Sequence, residues 1–299
     1  MASKEHLKYL QPEILSTLDN MQLIAKFAVE GFIVGLHKSP YHGFSVEFAE
    51  HRPYNQGDEV KNIDWKLFGK TDRYYVKEYE EETNLKSYII LDKSGSMKYT
   101  SGKITKFDYS AYLTVSLSYL MLKQQDATSL TLIDDKINSY IPPVAKRSHL
   151  DLILKSIQKA KCGGETAISP LLHQIAEKIN KIGLIILISD LFDDPEKIIS
   201  ALKHFRYLGH EVIVFHVLDK NEIEFNFSRQ TKFIDMENRN QLLTESHHIR
   251  DKYKESVIDF IEDIKSQCLN NHIDYKLITT DKTLDIGLVE YLNKRKKLV

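Results

Sequence analysis

Asp92, Ser94 and Ser96 follow one another at two-residue steps in "SYIILDKSGSM", directly after an apolar run. A turn leaving a strand needs a Gly and one Ser. It does not need a carboxylate and two hydroxyls in register. Two later segments carry groups of the same kind: the Gly-rich "CGGETAISP" holds Thr166, and "GLIILISD" ends on Asp190. Together these make two carboxylates and three hydroxyls. Hard oxygen donors of this sort suit Mg²⁺, which takes a near-octahedral oxygen shell and keeps waters readily. Mn²⁺ and Ca²⁺ are alternatives. Imidazole is missing from these segments and their one thiol is Cys162, so the paired soft ligands that zinc and copper favour are not assembled there. A divalent cation between two aspartates would be close to neutral and would keep a position open for a carboxylate from another molecule.

Helix capping is the plainer explanation, because Ser and Asp are favoured caps. It accounts for one or two of the residues. It does not account for Thr166 and Asp190 arriving at the same place. In "GGETAISP", Ser169 is expected to cap a helix with Pro170 at its first position, and Asp193 or Asp194 to cap the helix beginning near Pro195.

The elements that must hold these residues are legible as alternating strands and helices from residue 87 onward. "SYIILD", "ATSLTLIDD", "INSYIPP", "GLIILISD", "HEVIVFHVL" and "IDYKLITT" read as strands. The second and third should form a hairpin turning at Asp135 and Lys136. Helices are expected over 105–123, 148–160, 169–181, 195–208, 242–269 and 283–294. Apolar strands alternating with helices imply an α/β fold with a doubly wound, mostly parallel sheet covered on both faces. Ligands in such sheets bind outside the carboxyl ends of the strands, where Asp92 and Asp190 fall. Upstream, 13–36 reads as one amphipathic helix built on Leu15, Leu18, Leu23, Ile24, Phe27 and Phe32. "GFSVEFAEHRPY" and "DRYYVKEYEEE" read as strands. The pattern changes near residue 85, which divides the chain into 1–84 and 85–299.

The Asp92-Lys93-Ser94-Gly95-Ser96 pentad, Thr166 and Asp190, in that order, resemble the metal-ion-dependent adhesion site of von Willebrand factor A domains, over about residues 86 to 295. The resemblance implies a von Willebrand factor A-like fold and a role as a metal-dependent protein-interaction module. A narrower resemblance lies in "HRPYNQGDEVKNIDWK". Arg52, Tyr54, Gly57, Asp58, Asp64 and Trp65, followed by the pentad, are similar to the signature of a bacterial family of uncharacterised von Willebrand factor A-like proteins (domain of unknown function fifty-eight). Its members are associated with MoxR-type AAA+ ATPases. That implies such an ATPase, or its client, as partner, with a role in chaperone-like protein maturation or metal insertion. The plainer reading of the Arg52–Trp65 segment is structural: a turn, a buried Trp and an Arg–Asp pair.

An enzyme reading stays open, as a metal-dependent hydrolase or phosphatase using the same strand-end aspartates. Against it, position 94 is Ser where an aspartyl-phosphate enzyme usually has a second acid. The G-x-S-x-G and P-loop patterns are absent too. The 299 residues are 42% hydrophobic and 28% charged with a net charge of −1, which gives no general pull toward nucleic acid or anionic membrane. Two distant cysteines fit a reducing compartment. With no secretory leader and no run of about 20 apolar residues, a cytoplasmic location is expected. The acidic "EYEEE" over 78–82 is expected to be a solvated strand face or a docking surface for a basic partner.

Overall fold

The computed structural model describes residues 20–37, 52–53, 65–76, 85–164, 167–227, 230–234 and 241–298. Its centre is a six-stranded sheet. The strands are β3 (Lys86–Asp92), β4 (Ala127–Ile133), β5 (Ile137–Val144), β6 (Leu184–Ser189), β7 (Glu211–Leu218) and β10 (Asp274–Thr279), in the spatial order β10-β7-β6-β3-β4-β5. Neighbours pair in parallel except β4 with β5, which form the expected antiparallel hairpin. The chain winds outward from β3 to one side and then from β6 to the other. The β3/β6 junction is therefore the point where strand order reverses. This is the doubly wound α/β arrangement expected from the sequence.

Alternation of side chains along the strands separates two apolar layers. Ile89, Leu91, Ile186, Ile188, Ile213 and Phe215 face one layer. It is closed by α1 (Met21–His37), α3 (Lys106–Lys123), α4 (His149–Lys159) and α9 (Asp285–Leu298). Tyr88, Ile90, Ile185, Leu187, Val212 and Val214 face the other layer. That one is closed by α5 (Ile168–Lys178), α6 (Pro195–Tyr207) and α8 (Ser246–Asn270). β5 is the exception: its burial alternates along its length and it carries Pro142 and Pro143. Prolines on an edge remove ladder donors and discourage further pairing.

Helix starts follow from local chemistry. Thr105 and Asp108 form a reciprocal capping box at the start of α3, and Asp194 caps α6 ahead of Pro195. In α5 the expectation fails. The helix begins at Ile168, and Ser169 lies inside its first turn. The Ser169 backbone N–H and hydroxyl both donate to Asp193, at 3.2 and 2.8 Å, so the cap of α5 comes from the far side of β6.

Three further differences concern peripheral elements. In α1 the buried stripe is Ile24, Ala25, Ala28, Val29 and Phe32, packed against α3, whereas Leu23 and Phe27 are 42% and 40% exposed. The two flank the stripe, because a 3.6-residue repeat through Ile24, Ala28 and Phe32 passes them by. Leu15 and Leu18 lie outside the described residues. The helix expected over 242–269 starts only at Ser246, because β9 (Gln241–Glu245) pairs with β8 (Gln230–Ile234). A short α7 (Lys220–Glu224) was not anticipated and is capped by a second box, Asp219 with Glu222.

At the amino-terminal edge of the sheet, His210 is buried between Tyr88 and Phe205, and its Nδ1 accepts the Gly183 N–H at 3.3 Å. Burial holds its pKa below the ordinary histidine value. The nearby charges are Arg206, which donates to the His210 carbonyl at 2.8 Å, and Glu211, paired with Arg206 at 2.6 Å. A depressed histidine pKa means that the unfolded chain binds the proton first. Stability is then full above about pH 6.5 and falls as pH drops through the folded value. Wild-type melting temperature should fall more steeply below pH 6.5 than that of His210→Phe. Parallel curves for the two proteins would remove His210 as the cause.

Candidate functional site

Asp92 closes β3, and the chain then turns through Ser94, Gly95 and the short 3₁₀ segment Ser96–Lys98. Asp92 and Ser94 are fully buried. The Asp92 carboxylate accepts the Ser94 N–H at Oδ1 (2.8 Å) and the Ser189 hydroxyl at Oδ2 (2.6 Å). The Ser94 and Ser96 hydroxyl oxygens lie 3.1 Å apart. Gly95 N–H reaches the Gly164 carbonyl and Gly163 N–H the Lys93 carbonyl, at 3.2 and 3.0 Å. The Gly-rich loop thus lies alongside the pentad. Lys93 is turned away from the hydroxyls and bonds Asp134 and the Lys161 carbonyl. Thr166 and Glu165 in that loop lie outside the described residues.

Asp190 is fully buried where the chain leaves the neighbouring strand, β6. Burial, then the Asp190 charge, pushes Asp92 up to about 7, against the opposing bonds from Ser189 and Ser94. The two carboxylates therefore feel one another. The next residue, Leu191, is buried with φ of +56°, a left-handed conformation that a Leu adopts only where its surroundings impose it. Its N–H bonds Ser189 Oγ at 2.9 Å, and Phe192 N–H bonds Asp190 Oδ1 at 3.3 Å. The strained turn fixes the direction of the Asp190 side chain.

Two residues that sequence reasoning missed complete the surroundings. Lys106, fully buried in the first turn of α3, donates to Asp190 Oδ2 at 2.8 Å and to Glu222 Oε1 at 2.7 Å. Burial works against the Lys106 charge, but the Asp190 and Glu222 carboxylates outweigh it and hold its pKa above the usual value. The Phe192 ring covers the ammonium, 4.8 Å from centroid to Nζ. Both residues left a trace in the sequence. Lys106 is a cation at the helix end that disfavours cations, and Glu222 stands three residues after Asp219 in a capping-box pattern.

The donor set fits a hard divalent cation. Ligands at the Mg²⁺–O distance in an octahedron lie about 2.9 Å from their neighbours, close to the separation of the two serine hydroxyls. Among the described residues no three His, Cys, Asp or Glu side chains converge as a metal-holding group. The two aspartates would thus depend on the hydroxyls to complete a shell. Asp92, Ser94, Ser96 and Asp190 are the residues that would hold the ion.

The upstream signature is only partly described. Tyr54, Gly57, Asp58, Asp64 and the Arg52 side chain lie outside the described residues. β1 (Arg52–Pro53) pairs antiparallel with β2 (Tyr75–Val76), and α2 (Trp65–Thr71) lies between them in sequence. The expected buried Trp is corrected: Trp65 is 56% exposed, edge-on to Phe68, which stacks on Tyr74. Among the described helices none is long and apolar enough to cross a membrane.

Comparison with known proteins gives loose likenesses in structure and broad matches in sequence. The conserved hypothetical protein BatB from Bacteroides thetaiotaomicron is 14% identical with a TM-score of 0.47, over 70% of this chain and 99% of that one. The SpRpn10 VWA domain is 13% identical with a TM-score of 0.41, over 70% and 95%. Neither likeness is close enough to carry a functional conclusion. Uncharacterized protein Rv1480 of Mycobacterium tuberculosis (strain ATCC 25618 / H37Rv) is 22% identical over 218 residues, 71% of this chain and 68% of that protein. Uncharacterized protein Mb1516 of Mycobacterium bovis (strain ATCC BAA-935 / AF2122/97) matches equally. Residues 50–260, well over half of the chain, match the family described as protein of unknown function DUF58, and the protein belongs to that family.

Proposed function

We propose that the strand-end site binds a divalent cation, Mg²⁺ first and Mn²⁺ or Ca²⁺ as alternatives, and that the chain is a metal-dependent protein-interaction module. The observation that carries this reading is the pair of serine hydroxyls 3.1 Å apart beside Asp92, with a second buried carboxylate, Asp190, at the end of the adjacent strand. Thr166 would add a third hydroxyl. The cation would offer its remaining position to an Asp or Glu of a partner. A MoxR-type AAA+ ATPase, or a client it remodels, is the proposed partner, with chaperone-like maturation or metal insertion as the process.

The test immobilises wild type and Asp92→Ala and passes lysate of the source organism over both, with Mg²⁺ and then with EDTA. Removing a carboxylate from the shell should abolish retention of the ATPase, and EDTA should do the same to wild type. Thermal melting checks that both proteins are folded. Equal retention of the ATPase in all four conditions by folded proteins would refute the reading. Hydrolysis of a phosphate ester lost in Asp92→Asn would favour an enzyme instead.

A further inference from the structure

We infer that Lys106 and Glu222 are positioning residues that set the cation affinity of the strand-end site; the inference rests on the cation-binding reading above. The Lys106 ammonium is enclosed. It lies 2.8 Å from Asp190 and 2.7 Å from Glu222, is fully buried, and has the Phe192 ring over it. An ammonium this close to Asp190 takes up part of the negative charge that a divalent cation needs from the same carboxylate. Glu222 acts in the opposite direction, drawing the ammonium toward itself and returning charge to Asp190.

Glu222 is itself held. Its Oε2 accepts the Asp219 N–H at 2.7 Å. The Asp219 carboxylate receives the Ser101 N–H and hydroxyl at 3.0 and 2.5 Å and the Thr280 hydroxyl at 3.3 Å. Ser101 belongs to the loop that follows the pentad. The position of Glu222 is therefore tied to the loop that carries Ser94 and Ser96. The consequence is an ordering of variants by sign. Glu222→Gln leaves Lys106 to act on Asp190 alone, so cations bind less well. Lys106→Met, and the double variant Lys106→Met/Glu222→Gln, release Asp190 from the ammonium, so cations bind at least as well as to wild type.

Mn²⁺ affinity of the full chain, measured by calorimetry and by the electron paramagnetic resonance of free Mn²⁺, tests the ordering, with near-UV circular dichroism reporting folding. Glu222→Gln should weaken binding about tenfold, the size expected for one partly screened charge a few ångströms away. The double variant should bind no more weakly than wild type. A residue that only supports the fold would weaken binding in both. Mn²⁺ binding that Asp92→Ala abolishes but Glu222→Gln leaves unchanged would overturn this inference alone. A double variant weaker than wild type would do the same. Absence of Mn²⁺ binding to wild type at millimolar concentration would overturn the cation reading, and this inference with it.

Discussion

Lys106→Met is expected to cost the fold about 3–5 kcal/mol in EDTA and to lower the melting temperature by roughly 10 °C. The loss comes from what stays behind. Met replaces the lysine stem well, but Asp190 and Glu222 remain in a dry setting without the ammonium that served both. Removing one partner of a buried ion pair costs far more than the pair contributes, because the surviving charge is neither solvated nor paired. A ligand that binds only the folded state stabilises it by mass action, about 2.7 kcal/mol at a hundredfold excess over Kd. Saturating Mg²⁺ should therefore recover a large part of the loss on the proposed reading. Lys106→Met melting within 2 °C of wild type in EDTA would show that the two carboxylates find other partners.

Gly183→Ala carries the second large expectation, about 3 kcal/mol, at the upper end of ordinary overpacking. Gly183 sits where the chain enters β6 beside β3. A Cβ there would lie 2.1 Å from the Lys86 carbonyl oxygen and 3.0 Å from the Tyr88 ring. The nearest obstacle is backbone, so one of the two central strands must move, and the Gly183 N–H bond to His210 moves with it. Gly287→Ala is the informative contrast: its Cβ would meet a terminal methyl of Leu113 at 2.5 Å, which the leucine can swing away. Urea unfolding of both variants should place Gly183→Ala well below Gly287→Ala. A loss under 1 kcal/mol for Gly183→Ala would show that the strands separate there at little cost.

The parts of the site legible in the sequence are those set by a strand end. Asp92 and Asp190 could be placed because apolar runs lead to them, directly at Asp92 and through Ser189 at Asp190, and strands buried on both faces read clearly. Ser94 and Ser96 followed from their spacing to Asp92. Lys106 and Glu222 could not be paired in this way. Their meeting at Asp190 depends on how the start of α3 and the end of β7 arrive together, which no local pattern encodes. Trp65 failed for a different reason: a large apolar side chain favours burial without compelling it, and here it closes a small aromatic group at the surface. Ser169 failed because its capping carboxylate, Asp193, comes from a distant segment. The β8–β9 hairpin was hidden because "QLLTE" runs without a break into a helical pattern.

The adjacency of β3 and β6 also bears on the order in which the protein becomes competent. β3, α3, β4 and β5 follow one another in the chain and form one half of the sheet. The Ser189–Asp92 bond spans 97 positions in sequence and needs β6 to dock against the finished half, closing a long loop whose entropy must first be overcome. A chain emerging during synthesis thus holds the pentad and α3 before it holds Asp190. On the proposed reading, cation capture arrives only with the last central strand. A partner that recognises the cation would then be selecting chains in which the two central strands have met.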